Sequence, residues 1–332
     1  MSLIHIHAVN EGRLKGLVSY INGADKDDAP QTGQCHTPPP WAYVMNPPDF
    51  KPPPDDGSLR RVPDSGAAFT LTQVRDLFFA PDWHPSDHLP MPDIVARGRK
   101  PDVFACGVCH RADGPGGPEN SSLAGLPKAY IVQQMTDFKS GARTTSVPER
   151  LPSKLMITLS KGVTDAEIDA AAGYFSGLKQ RPNIRVVETD MVPKTYVTGW
   201  HLAVATTGDK EPLGHKMIEV PEDLQRFVSR DARARFIVYV PVGSIAKGAA
   251  LASTGGSGKT VPCGGCHGLD LKGLGAVPGI AGRSPSYMIR QLYDFKSGVR
   301  AGKDSALMKP TVEKLTLEDM VALAAYAASL SP

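Results

Sequence analysis

The chain has few cysteines, no long apolar run and little net charge. Only 5 of its 332 residues are cysteine, so any thiol chemistry must come from a handful of positions. No stretch of about 20 apolar residues is present, which excludes a membrane-spanning helix. Residues 1–30 also lack the apolar core of a secretory signal peptide. The formal charge of +3 includes no run of lysine or arginine, so nothing indicates nucleic-acid binding.

Length and composition indicate several loop-rich domains. A chain of 332 residues fits two or three domains, each able to bury a core. Its 30 prolines and 33 glycines make up about a fifth of the residues, which predicts much irregular structure. A large prosthetic group can supply part of the core in such domains.

Four of the five cysteines lie in two copies of one short motif. Residues 106–110 read Cys-Gly-Val-Cys-His, and residues 263–267 read Cys-Gly-Gly-Cys-His. In a C-x-x-C-H sequence the two thiols add to the vinyl groups of haem, and the histidine then binds the iron from below. The sequence therefore predicts two covalently bound haem c groups. The attachment residues are Cys106, Cys109, Cys263 and Cys266, and the proximal iron ligands are His110 and His267.

Two other uses of paired cysteines fit less well. Zinc sites pair C-x-x-C units that lie about 12 to 20 residues apart, whereas these two lie 157 positions apart. A thioredoxin-like dithiol gives no reason for a histidine after both copies. Haem attachment remains the better interpretation.

The two motifs belong to an internal repeat. With a shift of 157 positions, the regions that follow them align for about 40 residues without a gap. Residues 137–141, Asp-Phe-Lys-Ser-Gly, recur at 294–298. Ser284 before a proline predicts the start of a helix, and Gly141 and Gly298 predict helix ends.

Further along, the shift becomes 152 positions. Thr164 and Thr316 are each followed three residues later by an acidic residue, which predicts a capping box and a final helix rich in alanine. Each copy then consists of a haem motif, a loop, a helix, a methionine-bearing loop and a last helix. This is a small all-α haem domain that occurs twice.

The aligned methionines Met156 and Met308 are the predicted sixth ligands of the two irons. Most methionines simply fill a core, but these two occupy the same place in both copies. A histidine–methionine pair raises the reduction potential and leaves no open position for peroxide or oxygen. The other methionines and histidines are weaker candidates for iron ligands. We expect core positions for Met135, Met288 and Met320, a polar loop for His84 and His88, and ordinary strand or surface positions for His201 and His215.

Two other sequence patterns resemble known motifs only in part. Cys35 before a histidine resembles half of a haem motif, and we interpret it as an unpaired thiol. Residues 254–260, Thr-Gly-Gly-Ser-Gly-Lys-Thr, resemble a phosphate-binding loop, but they run straight into the second haem motif rather than into a helix.

The residues between the two copies read differently. Short β-branched runs at 184–187, 195–197, 201–205 and 236–240 predict strands. We expect this middle segment to join the two haem domains and to pack on them. Residues 38–54 are rich in proline and should be extended.

The haem motifs, the paired methionines and the last helix resemble the class I cytochromes c. The duplication is similar to the dihaem family that includes cytochrome c4, over roughly residues 100–180 and 245–332. The strand-rich middle segment and the long leader depart from that family. The resulting fold class is mainly α: two class I cytochrome c domains joined by a strand- and loop-rich middle segment. The expected boundaries are an unassigned N-terminal segment at 1–37, a proline-rich leader region at 38–97, cytochrome c domain 1 at 98–180, a strand-rich connecting segment at 181–250 and cytochrome c domain 2 at 251–332.

The resemblance implies a periplasmic single-electron carrier rather than an enzyme. Its partners would be redox proteins, a donor dehydrogenase or membrane complex and an acceptor oxidase. Two alternatives stay open. The chain could be the cytochrome subunit of a periplasmic dehydrogenase or oxidase complex, or a dihaem peroxidase with one displaceable sixth ligand.

Overall fold

The computed structural model describes residues 37–332, so Cys35 and the predicted N-terminal segment up to residue 36 lie outside the described residues. The α-helices, in chain order, are α1 Leu71–Arg75, α2 Asp93–Ala96, α3 Cys106–His110, α4 Lys128–Ser140, α5 Leu151–Gly162, α6 Asp165–Ser176, α7 Leu224–Val228, α8 Ser244–Thr254, α9 Gly264–His267, α10 Pro285–Lys296, α11 Lys309–Val312 and α12 Leu317–Ser329. The strands are β1 Ile184–Glu188, β2 Met191–Pro193, β3 Thr195–Thr198, β4 His201–Val204, β5 Lys210–Pro212, β6 Ile218–Pro221, β7 Phe236–Val240, β8 Gly273–Leu274 and β9 Val277–Pro278. Two 3₁₀ turns cover Pro85–Asp87 and Ser305–Leu307.

The duplication predicted from the sequence is visible in the order of the helices. Helices α3 to α6 form a first helical unit, and α8 to α12 form a second one with the same succession of motif, long helix, methionine segment and last helix. The fold is mainly α, with short strands between the units, as the sequence predicts. In the first unit, buried residues of α4 and α6 such as Ile131, Ile168 and Phe175 meet in one core.

Both predicted capping boxes are present. The Thr164 hydroxyl accepts a hydrogen bond from the Glu167 backbone N–H, and the Glu167 carboxylate accepts from the Thr164 backbone. Thr316 and Asp319 make the same reciprocal pair at the start of α12. At the end of α4, Gly141 takes the left-handed conformation with φ of 79°, which terminates the helix.

The expectation that both methionines lie in loops is wrong for Met156. Met156 lies in the middle of α5 (Leu151–Gly162), whose only proline occupies the first turn, where no backbone N–H is needed. Met308 does lie outside a long helix, between the 3₁₀ turn and the four-residue α11. The two segments differ because Pro310 follows Met308 closely, whereas no proline follows Met156.

The middle segment forms small sheets, as predicted. Strand β7 pairs in parallel with β1 and antiparallel with β6, and the pairs β2–β5 and β3–β4 are antiparallel. All four predicted strands are observed. The sequence prediction missed β2, β5 and β6, which are only three or four residues long and carry no long β-branched run.

This segment shares a core with the second helical unit. Met217, Val238 and Val240 are buried against residues of α12 such as Met320, and Tyr43 of the leader joins the same cluster. Helix α8 crosses the predicted boundary at residues 250 and 251, because its apolar face packs on α12 rather than on the sheets. The leader contains no helix between residues 38 and 54, in agreement with its proline content.

The two helical units contact each other through matching hydrogen bonds, in which an arginine of each unit bonds to a tyrosine and a glutamine of the other. The Arg143 guanidinium donates to the Tyr287 hydroxyl at 2.7 Å and to Gln291 Oε1 at 2.8 Å. Because these residues align under the shift of 157, the contact is approximately twofold symmetric. The reverse contacts run from Arg300 to the Tyr130 hydroxyl at 2.9 Å and to Gln134 Oε1 at 2.9 Å.

Asp319 should make the protein less stable at low pH. Its fully buried carboxylate accepts from Lys259 and Thr316 and lies 3.1 Å from Lys247 Nζ. Burial alone would raise the pKa of Asp319, but the hydrogen bonds from Lys259 and Thr316 outweigh it and lower the pKa to about 2. The carboxylate therefore stabilises the fold above its unfolded pKa of about 4, and this stability is lost as pH falls towards 2.

We expect Asp319→Asn to lower the free energy of unfolding by about 2 kcal/mol at pH 7. The difference from the parent protein should shrink as pH falls from 4 to 2, because the parent carboxyl then takes up its proton. Chemical unfolding at a series of pH values measures this. Glu318→Gln is the control, since its exposed pairs should contribute less than about 1 kcal/mol at any pH. A deficit of Asp319→Asn that stays constant down to pH 2 would contradict the assignment.

Candidate functional site

The first haem motif lies on the wall of a cleft of about 410 Å³. Cys106, Cys109 and His110 of α3 line it on one side, and Met156 of α5 lines it as well. The structure thus brings together all four site residues predicted for the first unit. The surface of the wall is largely apolar, and α4, α5 and α6 contribute many of its apolar side chains. Such a wall suits the flat apolar body of a porphyrin.

Both motif histidines are oriented by the same hydrogen bond. His110 Nδ1 lies 2.8 Å from the Ser121 carbonyl oxygen, and His267 Nδ1 lies 2.8 Å from the Pro278 carbonyl oxygen. Ser121 and Pro278 are related by the shift of 157. A proton on Nδ1 that bonds to a carbonyl leaves the lone pair of Nε2 free, which is the arrangement that iron-binding histidines use.

Burial keeps both imidazoles neutral. It lowers the pKa of His110 and of His267 below the usual value, because the charged form would lose its hydration. A neutral imidazole is the form that binds iron. The histidines are therefore prepared for this role by tautomer and by charge.

The short motif helices end in the same way. The residue after each histidine has a positive φ, 69° for Arg111 and 85° for Gly268. Arg111 is a costly residue at such a position, and its guanidinium is held by Glu119 at 3.2 Å and by the Val108 carbonyl at 3.2 Å. The first spacer residue Gly107 must be small, since a Cβ there would lie 2.8 Å from the side chain of Ala80.

The thiols of the first motif are half-buried in largely apolar surroundings. Burial raises the pKa of Cys106 to about 12, and it also raises the pKa of Cys109. These thiols therefore carry no negative charge at neutral pH, and an apolar partner such as a vinyl group suits their surroundings. In the second motif burial raises the pKa of Cys263 too, whereas Cys266 is exposed.

Met156 reaches the cleft because of helical periodicity. Residues at spacings of three and four along and just beyond α5 line the same wall, namely Pro152, Leu155, Met156, Leu159 and Val163. Met135 of α4, assigned to the core from its aligned leucine, also borders this cleft. A sequence alignment could not show that.

The second site is built from the matching residues of the second helical unit. Met308 is half-buried and packs against the cluster that Cys263 also borders. His267 stands at the end of α9, oriented by Pro278 in the β8–β9 hairpin. The methionine and the attachment cysteine therefore border the same core.

The histidines considered as alternative ligands are used elsewhere. His84 is buried with Nε2 at 3.0 Å from Asp231, and His88 Nε2 lies 3.3 Å from Asp82. Neither lines the first cleft. His201 is a buried residue of β4, and Met320 is fully buried in the second core. Met288 packs against the same core.

Several cleft residues come from parts of the chain that the sequence did not connect with the first site. Trp200 and Arg230 come from the middle segment, Arg150 precedes α5, and Arg290 extends from α10 of the other helical unit. None of them aligns with a basic or aromatic residue of the other repeat, so the sequence pattern did not indicate them. Only the folded chain shows that the middle segment and the second unit complete the wall of the first site.

Between Thr37 and Pro332, no helix is long and apolar enough to cross a bilayer. In the same residues, no group of three or more histidine, cysteine and acidic side chains is placed to hold a metal ion by itself. The residues present fit haem at the first site: two half-buried thiols, a neutral oriented imidazole, a thioether and a largely apolar wall.

The chain is similar in sequence to several cytochromes. No protein-family model matches the chain. It is 27% identical over 239 residues to the thiosulfate dehydrogenase electron acceptor of Thiomonas intermedia, which covers 70% of this chain and 82% of that protein. It is 26% identical over 227 residues to cytochrome c4 of Azotobacter vinelandii, covering 67% and 82%. The crystal structure of reduced recombinant cytochrome c4 from Pseudomonas stutzeri matches with a TM-score of 0.44 and 23% identity, over 68% of this chain and 93% of that one.

Proposed function

We propose that the chain is a dihaem c-type cytochrome, similar to cytochrome c4, and that it carries single electrons on two irons that are each held between a histidine and a methionine. The prediction of two covalently bound haem c groups is confirmed by these relatives. The observation that carries the proposal is the repeated orientation of the two motif histidines, each through Nδ1 to a backbone carbonyl.

The proposed iron ligands are His110 with Met156 and His267 with Met308. The proposed thioether links are Cys106 and Cys109 for the first haem, and Cys263 and Cys266 for the second. In this proposal the protein orients each imidazole, excludes water from the first cleft and supplies a soft sulfur ligand that favours ferrous iron. The bound haems supply the one-electron chemistry.

A peroxidase function is the weaker alternative. Peroxide needs an open or displaceable position on iron, and the proposed methionines close both. Met156 supports this, since it lies on the wall of the same cleft as His110. We propose that the holoprotein shows no peroxidase turnover and that both ferric haems are low-spin. Rapid peroxide reduction together with a high-spin ferric haem would favour the alternative.

We expect two thioether-linked haems for each chain. The mass of the denatured holoprotein should exceed that of the apoprotein by two haems, and the pyridine haemochrome spectrum should give the same ratio. Replacing Cys263 and Cys266 together by serine should leave one haem, on the first motif. Haem that acid acetone extracts from the parent protein would overturn the proposed attachment.

A second candidate function is a dedicated electron acceptor of a dehydrogenase. One relative is named as the electron acceptor of thiosulfate dehydrogenase, and another as the cytochrome subunit of sulfide dehydrogenase. We propose that a sulfur-oxidising dehydrogenase is the donor to test first. Reduction of the ferric holoprotein by thiosulfate only when such an enzyme is present would support this role. A stable complex on size exclusion would distinguish a subunit from a free carrier.

The proposed location is the periplasm. The reason is chemical, because haem is attached covalently to C-x-x-C-H motifs outside the bacterial cytoplasm. Export behind a secretory leader should therefore give the haem-loaded protein, and expression without one should give the apoprotein.

A further inference from the structure

We propose that three largely buried arginines without acidic partners make the first haem the higher-potential haem of the two. This inference rests on the proposed function, since it assumes a haem in the first cleft. The residues concerned are Arg150, Arg230 and Arg290. All three line the first cleft, and they come from three different parts of the chain.

Each guanidinium is held by backbone carbonyl oxygens. Arg290 donates to the Ala42 carbonyl at 2.8 Å and to the Pro118 carbonyl at 2.6 Å. Arg230 donates to the Val74 carbonyl at 2.9 Å and to the Val108 carbonyl, inside the first haem motif, at 2.7 Å. Arg150 lies within 3.5 Å of three more carbonyl oxygens, those of Val44, Glu119 and Trp200.

None of the three is paired with a carboxylate in the part of the chain that the structure describes. The acidic residues Glu119 and Glu167 on the cleft wall are already paired, with Arg111 at 3.2 Å and with Arg99 at 2.8 Å. Asp294 also lines the cleft, and its Oδ1 accepts from the Tyr43 and Ser146 hydroxyl groups. The three positive charges are therefore only partly balanced by the protein.

The charges persist at neutral pH. Burial lowers the pKa of all three guanidinium groups, that of Arg230 to about 10. Arginine starts from a pKa above 12 and remains protonated in proteins. Its N–H groups donate to carbonyls here, which favours the protonated form.

The second site lacks counterparts to these charges. Under the shift of 157, Arg290 falls on Gln133, whereas Arg150 lies beyond the part of the repeat that aligns without a gap and has no aligned residue. Arg230 belongs to the middle segment, which occurs only once. Among the other charged wall residues, Arg143 aligns with Arg300 and Asp294 with Asp137, whereas Glu119 falls on Ala276 and is paired with Arg111. Arg150, Arg230 and Arg290 therefore have no aligned counterparts at the second site.

The effect on potential follows from electrostatics. Ferric haem carries one more positive charge than ferrous haem, so a nearby fixed cation in a buried site disfavours the ferric form. The two propionate groups of haem offset part of this charge at both sites alike. An electron that reaches either haem should then reside mainly on the first one, beneath the middle segment.

The test is a spectroelectrochemical titration of the holoprotein. The parent protein should show two midpoints. Arg290→Gln, which installs the residue of the other repeat, and Arg230→Gln should each lower only the upper midpoint, by a tenfold change in the reduction equilibrium, equal to about 59 mV for one electron. Arg290→Lys should retain the upper midpoint because it retains the charge. Arg185→Gln, which removes an exposed cation with 56% of its side chain accessible, should move neither midpoint.

A variant that adds an arginine at the second site tests the inference even if an arginine-removing variant fails to fold. Gln133→Arg adds a cation at the aligned position and should raise the lower midpoint towards the upper one. The inference is overturned if the arginine variants carry two haems and show no shift, or if both midpoints or only the lower one move. It is also overturned if Gln133→Arg leaves the lower midpoint unchanged. Fewer than two haems in the parent protein would instead refute the proposed function.

Discussion

Replacing Met308 by alanine should open the iron of the second haem to solvent. The change removes a soft thioether that favours ferrous iron, so the potential of that haem should fall by at least a tenfold change in its reduction equilibrium, about 59 mV. The weak sulfur-to-iron charge-transfer band near the red end of the visible spectrum should lose half its intensity. Carbon monoxide should bind the reduced variant at one haem only. Met156→Ala should have the same effects on the first haem.

Met320→Leu is the matched control. Met320 is fully buried in the second core, and leucine has a similar volume, so the variant should lose less than about 1.5 kcal/mol of stability and keep both spectra. An unchanged charge-transfer band in Met308→Ala would remove Met308 from the site. Because Met288 borders the same core, Met288→Leu would then be the next variant to examine.

Gly248→Ala should destabilise the second helical unit by about 3 kcal/mol. Gly248 lies in α8 where that helix crosses α12, and a Cβ there would lie 2.0 Å from the Ala322 carbonyl oxygen and 2.7 Å from the Tyr326 side chain. Both of these atoms belong to a tightly packed helix, so the added methyl group must push the helices apart. The guanidinium midpoint of unfolding, followed at the second haem, measures the loss.

Gly173→Ala is the control, and it should raise the stability of the parent protein rather than lower it. Gly173 lies inside α6, and a Cβ there meets no atom within 4 Å. Alanine should therefore stabilise that helix by up to about 1 kcal/mol through backbone entropy alone. If Gly248→Ala were as stable as the parent protein, the close crossing of α8 and α12 would be refuted.

The duplication and the attachment chemistry could be predicted from sequence because both depend on local order. A C-x-x-C-H motif places two thiols and an imidazole on one turn, whatever the rest of the chain does. Capping at Thr164 and Thr316 depends on residues three positions apart, and both caps were predicted. Periodicity could not place Met156 correctly, since a helix and a loop are equally able to present a methionine to a cleft.

The asymmetry between the two sites depended on tertiary structure. The repeat suggests two equal haem sites, and nothing local to Arg150, Arg230 or Arg290 marks them as neighbours of a haem. They converge on the first cleft only because the leader and the middle segment pack over it and because the second helical unit faces it. By itself the sequence determined which residues can attach haem and how many haems there are. The charge around each haem depends largely on contacts between residues far apart in the chain, and only the folded chain decides those.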